Sequence, residues 1–291
     1  MYQNFSKIKA MKAVICLFLS FSLAGCVQSQ SNATTAKADT SLQALGNDIQ
    51  TRFEVPPNFE RVQVPDGSFG AYLRALPLKP VGAKVKLFNG SEKQNDVYDA
   101  VIDLDIGHKD LHQCADAVMR LRAEYLWKKG AYDKIHFNFT NGMRVNYSEW
   151  MKGRRIVVNK SQTKTYWNHR HHPSNTYADF WDYLETIFMY AGTSSLSKEL
   201  IPIKMNQMSI GDVLIRGGFP GHAVIVLDMA ENPATGERIF LLGQSYMPAQ
   251  ELQVLKNNYD RDISPWYHLN NQTIYTPEWT FYPSNLMRFG E

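Results

Sequence analysis

Cysteine is scarce in this chain of 291 residues: there are three, at positions 16, 26 and 114. A disulfide framework of the kind that staples small secreted domains is therefore excluded. Basic clusters are absent as well. The formal net charge is only +3 and the charges are intermixed, which argues against a nucleic-acid partner. No segment repeats, so a solenoid or propeller is excluded. No apolar run is long enough to span a bilayer comfortably. Aromatic residues are missing between Val27 and Arg52, where Ser, Thr, Gln, Asn and Ala dominate. Such a composition cannot bury enough apolar surface to order itself, and it reads as a tether.

What is present begins at the N-terminus. Lys7, Lys9 and Lys12 precede an apolar stretch from Ala13 to Ala24, the layout of a signal peptide. Translation from Met1 or from Met11 would serve equally. The stretch ends in Leu23-Ala24-Gly25-Cys26, which resembles the lipobox of bacterial lipoproteins. The resemblance implies removal of residues 1–25, lipidation of Cys26 and anchorage to a membrane outside the cytoplasm. Val27, not an aspartate, follows the cysteine, which favours the periplasmic face of the outer membrane. Residues 26–51 then form the lipidated tether, and 52–291 a single folded domain. With Cys16 removed and Cys26 acylated, Cys114 is the only free thiol of the mature chain.

Within the domain, Val97–Ile106 reads as a strand. Asp110 is placed as the N-cap of a helix on which Leu111, Cys114, Val118, Leu121 and Tyr125 recur at helical spacing, ended by Gly130. Ile135–Thr140, Asn141-Gly142 and Met143–Tyr147 spell a hairpin. Arg155–Val158 is a further strand, and Thr176–Tyr190 an aromatic helix. Asp212–Ile215, His222–Asp228 and Arg238–Gln244 follow as consecutive antiparallel strands. Helix first and meander afterwards predicts an α+β fold.

The segment Ile210-Gly211-Asp212-Val213-Leu214, followed by Gly221-His222-Ala223-Val224-Ile225-Val226, resembles the strand pair of papain-like (NlpC-type and CHAP-type) cysteine peptidases and amidases of bacterial cell walls. The resemblance implies a long N-terminal helix packed on an antiparallel β-meander. It also implies Cys114 as nucleophile, His222 as general base and Gln244 as the residue that orients the ring. Peptidoglycan is the implied partner, and no cofactor is called for. A helix-start cysteine is expected to have a lowered pKa, and the amides of that turn could form an oxyanion hole. Asp228 shares a strand face with His222 but lies about 20 Å away along it. The bland alternative is that Cys114 is a small core hydrophobe and His222 a satisfied core histidine, leaving a non-catalytic envelope lipoprotein. His169, His171 and His172, with Asp179 or Asp182, raise a metal site, and Asp103 with Asp105 an acid pair for glycan hydrolysis. Solvated loop and strand-edge polarity are the plainer accounts of both. Trp167, Trp181, Trp266 and Trp279 are candidates for stacking on sugars or for the core.

Longer stretches resemble a bacterial family known only as a domain of unknown function (DUF4846). They are Val64-Pro65-Asp66-Gly67-Ser68-Phe69, Gln113–Arg122, His136–Gly142, Gly217–Ala223 and Gln244–Gln250. This resemblance implies no activity of its own.

Overall fold

The computed structural model describes residues 46–159 and 164–290. Cys16 and Cys26, with the signal-peptide and lipidation expectations attached to them, lie outside the described residues. Its backbone is a nine-stranded antiparallel sheet, with strand order Tyr98–Val101, Gln253–Leu255, Arg238–Gln244, His222–Glu231, Val213–Arg216, Leu286–Arg288 and Ile201–Pro202. Glu60–Arg61 pairs with the far end of the His222 strand, and Tyr267–His268 with the Arg238 strand.

The His222–Glu231 strand is the axis of this sheet, buried at nine of its ten residues. Its β-branched and apolar run is what a strand covered on both faces requires. Ala223, Ile225 and Leu227 enter one core with the Cys114–Lys128 helix, while Val224 and Val226 enter a second core with Phe240, Leu242 and Phe281. A register shift between Leu241 and Leu242 then reverses the alternation. Beyond it Met229 faces the second core and Ala230 the first. At that irregularity the fully buried Asp228 binds Arg74 at 2.5 Å and Arg61 at 2.7 Å. This residue ties the N-terminal segments to the central strand and takes no part in the histidine site.

The expected papain-like α+β arrangement, with a long N-terminal helix on a meander, is corrected. Antiparallel sheet dominates, and of six α-helices among the described residues only three reach seven residues. The first described segments carry Pro56, Pro57, Pro65, Pro77 and Pro80 with Gly67, Gly82 and Gly90, and such punctuation ends any helix within two turns. The longest helix, Cys114–Lys128, lies in mid-chain.

Boundaries moved elsewhere for local reasons. The Val97–Ile106 strand is regular only over Tyr98–Val101. The His136–Asn138/Arg144–Asn146 hairpin and the Tyr177–Tyr190 helix, capped by Thr176, fall where the sequence puts them. Arg154–Val158 pairs with Thr165–His169 in a separate two-stranded sheet. Ile49, assigned by composition to the tether, is fully buried in a short helix capped by Asp48, so the fold starts before residue 52. No helix among the described residues is long and apolar enough to cross a membrane.

Asp228→Ala leaves two guanidinium groups facing the core without their carboxylate. It is expected to cost about 3–5 kcal/mol in urea unfolding. A loss below about 1 kcal/mol would show that the pair does not hold the N-terminal segments in place.

Candidate functional site

Cys114 opens its helix. The N-cap is Gln113, not Asp110: the Gln113 backbone N–H donates to Asp116 Oδ2 at 3.0 Å. Asp110 acts one step earlier, its Oδ1 accepting from Gln113 Nε2 at 3.1 Å and from the Ala249 N–H at 2.6 Å. Ser245 Oγ spans the carbonyls of His112 and Gln250 at 3.0 and 2.7 Å. These bonds stitch the entry to the Cys114 helix onto the turn that follows Gln244. The helix start and the end of the Arg238–Gln244 strand are thereby fixed to each other.

His222 and Gln244 lie on neighbouring strands, both buried. His222 Nε2 and Gln244 Oε1 are 2.8 Å apart. The amide's orientation follows from its other end, where Gln244 Nε2 donates to Glu278 Oε2 at 2.7 Å. A carboxylate only accepts, so Gln244 must present its oxygen to the histidine. The proton of the neutral ring then sits on Nε2, and Nδ1 is the free acceptor. Lys93 Nζ completes the chain at 2.8 Å from Glu278 Oε2 and 3.0 Å from Gln250 Oε1. The ring itself is packed by Tyr246, Trp279 and Phe281 at centroid distances of 4.9, 5.3 and 6.0 Å.

Cys114 and His222 line one cavity of about 450 Å³, together with Asp116, Phe188, Phe219, Tyr246, Met247 and Trp279. The backbone N–H groups of Ala115, of Cys114 itself and of Ala223, the residue next to the histidine, favour the charged form of the thiol. A larger cavity of about 680 Å³, among Ile203–Asn206 and Gly236–Arg238, is lined by none of Cys114, His222 and Gln244.

The electrostatics run against the sequence expectation of a lowered thiol pKa. Burial pushes the Cys114 thiol up to about 11, the Asp116 carboxyl adds to the rise, and the backbone N–H groups only partly offset it. Burial likewise holds His222 down to about 4, against Gln244 and Glu278, which favour its charged form. At neutral pH the site is therefore thiol and imidazole, not an ion pair. Asp116 is itself held well above the usual carboxylate range by burial, and its Oδ1 has no hydrogen-bond partner.

The other sequence candidates are dispersed. Among the described residues no group of three or more His, Cys, Asp and Glu could hold a metal ion. Asp179 is occupied by Arg155, Ser174 and Thr176. Asp103 and Asp105 are exposed and lie beyond the end of their strand; Asp105 Oδ1 accepts from the Gly107 N–H. Of the four candidate tryptophans, Trp266 is in the core, Trp167 and Trp181 pack against that core, and Trp279 reaches the cavity. Glu278 and Lys93 escaped sequence reasoning. Each stands in a loop with no spacing signal, and only the fold brings them behind Gln244.

Fold and site together define a sheet-dominated domain in which Cys114 and His222 line one cleft and the buried Gln244 holds the histidine. The profile of the family described as "Domain of unknown function (4846)" matches residues 49–288, and the chain belongs to that family. Comparison with curated proteins and with solved structures gave no match.

The Lys93–Glu278 pair gives a signed test. Glu278 favours the imidazolium and Lys93 opposes it. In NMR titrations of the ring, Glu278→Gln is expected to lower the His222 pKa and Lys93→Met to raise it. Shifts of the same sign in both variants would mean that the pair acts only as packing.

Proposed function

We propose that this chain is a thiol hydrolase of amide bonds that acts in the cell envelope. On this reading Cys26 is lipidated, the domain faces the periplasm from the outer membrane, and amide bonds of the envelope, in peptidoglycan or in other envelope molecules, are the substrate class. The observation that carries the reading is the 2.8 Å bond from His222 to Gln244, which leaves Nδ1 as a free base in the cavity that Cys114 also lines.

In the proposed reaction a substrate carbonyl enters the cleft above the sulfur. His222 Nδ1 takes the thiol proton as the C–S bond forms, so no free thiolate has to be stabilised beforehand. First-turn amides of the Cys114 helix face the developing oxyanion. The imidazolium, supported through Gln244 by Glu278, then protonates the leaving amine. Water resolves the thioester, with His222 again as the base. The raised thiol is the observation that favours a second reading, a non-catalytic envelope-binding protein in which Cys114 only packs.

The pH dependence of Cys114 alkylation by iodoacetamide separates the two. If His222 takes the proton, the rate is flat from somewhat above pH 4 to somewhat below pH 11, the range in which imidazole and thiol are both neutral. His222→Ala should then be slower at pH 7 by about tenfold or more. A wild-type rate that climbs about tenfold per pH unit and coincides with that of His222→Ala would overturn the hydrolase reading. Release of new amino groups from isolated peptidoglycan, lost in Cys114→Ser, tests the substrate class.

A further inference from the structure

Phe219 is 98% exposed and Met247 59%, the two most exposed of the large, purely apolar side chains among the described residues. Both stand at the rim of the Cys114–His222 cavity, on loops from different strands. An isolated exposed apolar residue needs no explanation, but two at the mouth of one concave site do. Phe188 and Trp279 continue the apolar surface inward from them.

The loop that presents Phe219 is braced. A Cβ on Gly217 would stand 2.1 Å from Ser197 Oγ, and one on Gly221 2.3 Å from Thr193 Oγ1. Thr193 Oγ1 also donates to the Gly218 carbonyl at 3.1 Å. Both ends of the loop are thus seated against the Thr193–Glu199 helix, and the phenyl ring projects from a fixed support. Met247, which lines the same cavity, is unbranched and polarizable, the kind of side chain that adapts to a variable apolar surface.

We infer that the cleft binds a bulky apolar or aromatic group of its substrate between Phe219 and Met247, next to the bond presented to Cys114. The placement of the bond rests on the hydrolase reading; the grip on the apolar group does not. A cavity of about 450 Å³ accommodates a phenyl-sized group with its flanking amides. A membrane surface is the rival occupant, and the inward continuation through Phe188 and Trp279 argues against it, because a lipid surface calls for an outward-facing patch.

The test uses the folded Cys114→Ser protein, so that nothing depends on thiol chemistry. Backbone amide NMR titrations compare N-acetyl-phenylalaninamide with N-acetylglycinamide. The phenylalanine amide is expected to shift cavity resonances saturably and to bind about tenfold to a hundredfold more tightly, as burial of one aromatic ring implies. That preference should fall to near unity in Phe219→Ala/Met247→Ala, where both removed side chains are exposed and the fold is not at stake. Equal affinities, no saturable shift with either amide, or a preference that survives the double substitution would each overturn the inference. So would binding to phosphatidylcholine vesicles that the double substitution abolishes, if no amide preference accompanies it. Should alkylation show no role for His222 while the preference holds, the cleft stands as a binding site and only the hydrolase reading falls.

Discussion

The dependence of everything else on one buried strand is the main physical constraint in this molecule. His222–Glu231 has both faces covered, so its backbone polar groups must pair within the sheet and its side chains must fit two cores at once. One face sets the seat of the Cys114 helix through Ala223. The other sets the aromatic packing around His222 through Phe281. The irregularity near Asp228 changes the phase of the strand between its two ends. The end with the histidine serves the cleft, while the other end, held by Arg61 and Arg74, anchors the N-terminal segments. A one-residue slip anywhere along it would exchange the two cores.

Burial decides the chemistry of the cleft as much as proximity does. The same desolvation that makes a hydrogen bond strong makes a charge expensive, so the thiol and the imidazole are each driven to their neutral forms. The molecule places its compensating charge one residue further back. Gln244 is neutral, yet its amide is held by a carboxylate that is itself balanced by Lys93. An imidazolium formed in the cleft would feel Glu278 through the Gln244 dipole.

The central strands, the Asn141-Gly142 hairpin and the aromatic helix were legible because each carries a periodic pattern closed by turn residues. Gln244 as the partner of His222 came from the resemblance to the peptidase strand pair, not from periodicity. The overall architecture was not legible: an amphipathic helix reads strongly in a sequence, whereas two- and three-residue strands such as Glu60–Arg61, Ile201–Pro202 and Leu286–Arg288 leave no pattern, and together they tip the balance to sheet. Glu278 was hidden for the same reason, standing between the two-residue strands Ile274–Tyr275 and Thr280–Phe281. The direction of the thiol pKa was misjudged because helix position is visible in a sequence and depth of burial is not.

The order in which the chain supplies the site has a consequence for its synthesis. Lys93 and Cys114 come first in the chain, His222 and Gln244 follow, and Glu278 with Trp279 come last of these residues. A growing chain therefore carries its thiol without the base, the carboxylate or the aromatic wall until those later segments have been made. Completion of the cleft must wait until Trp279 has cleared the ribosome, so the site assembles only after all of these segments have been made.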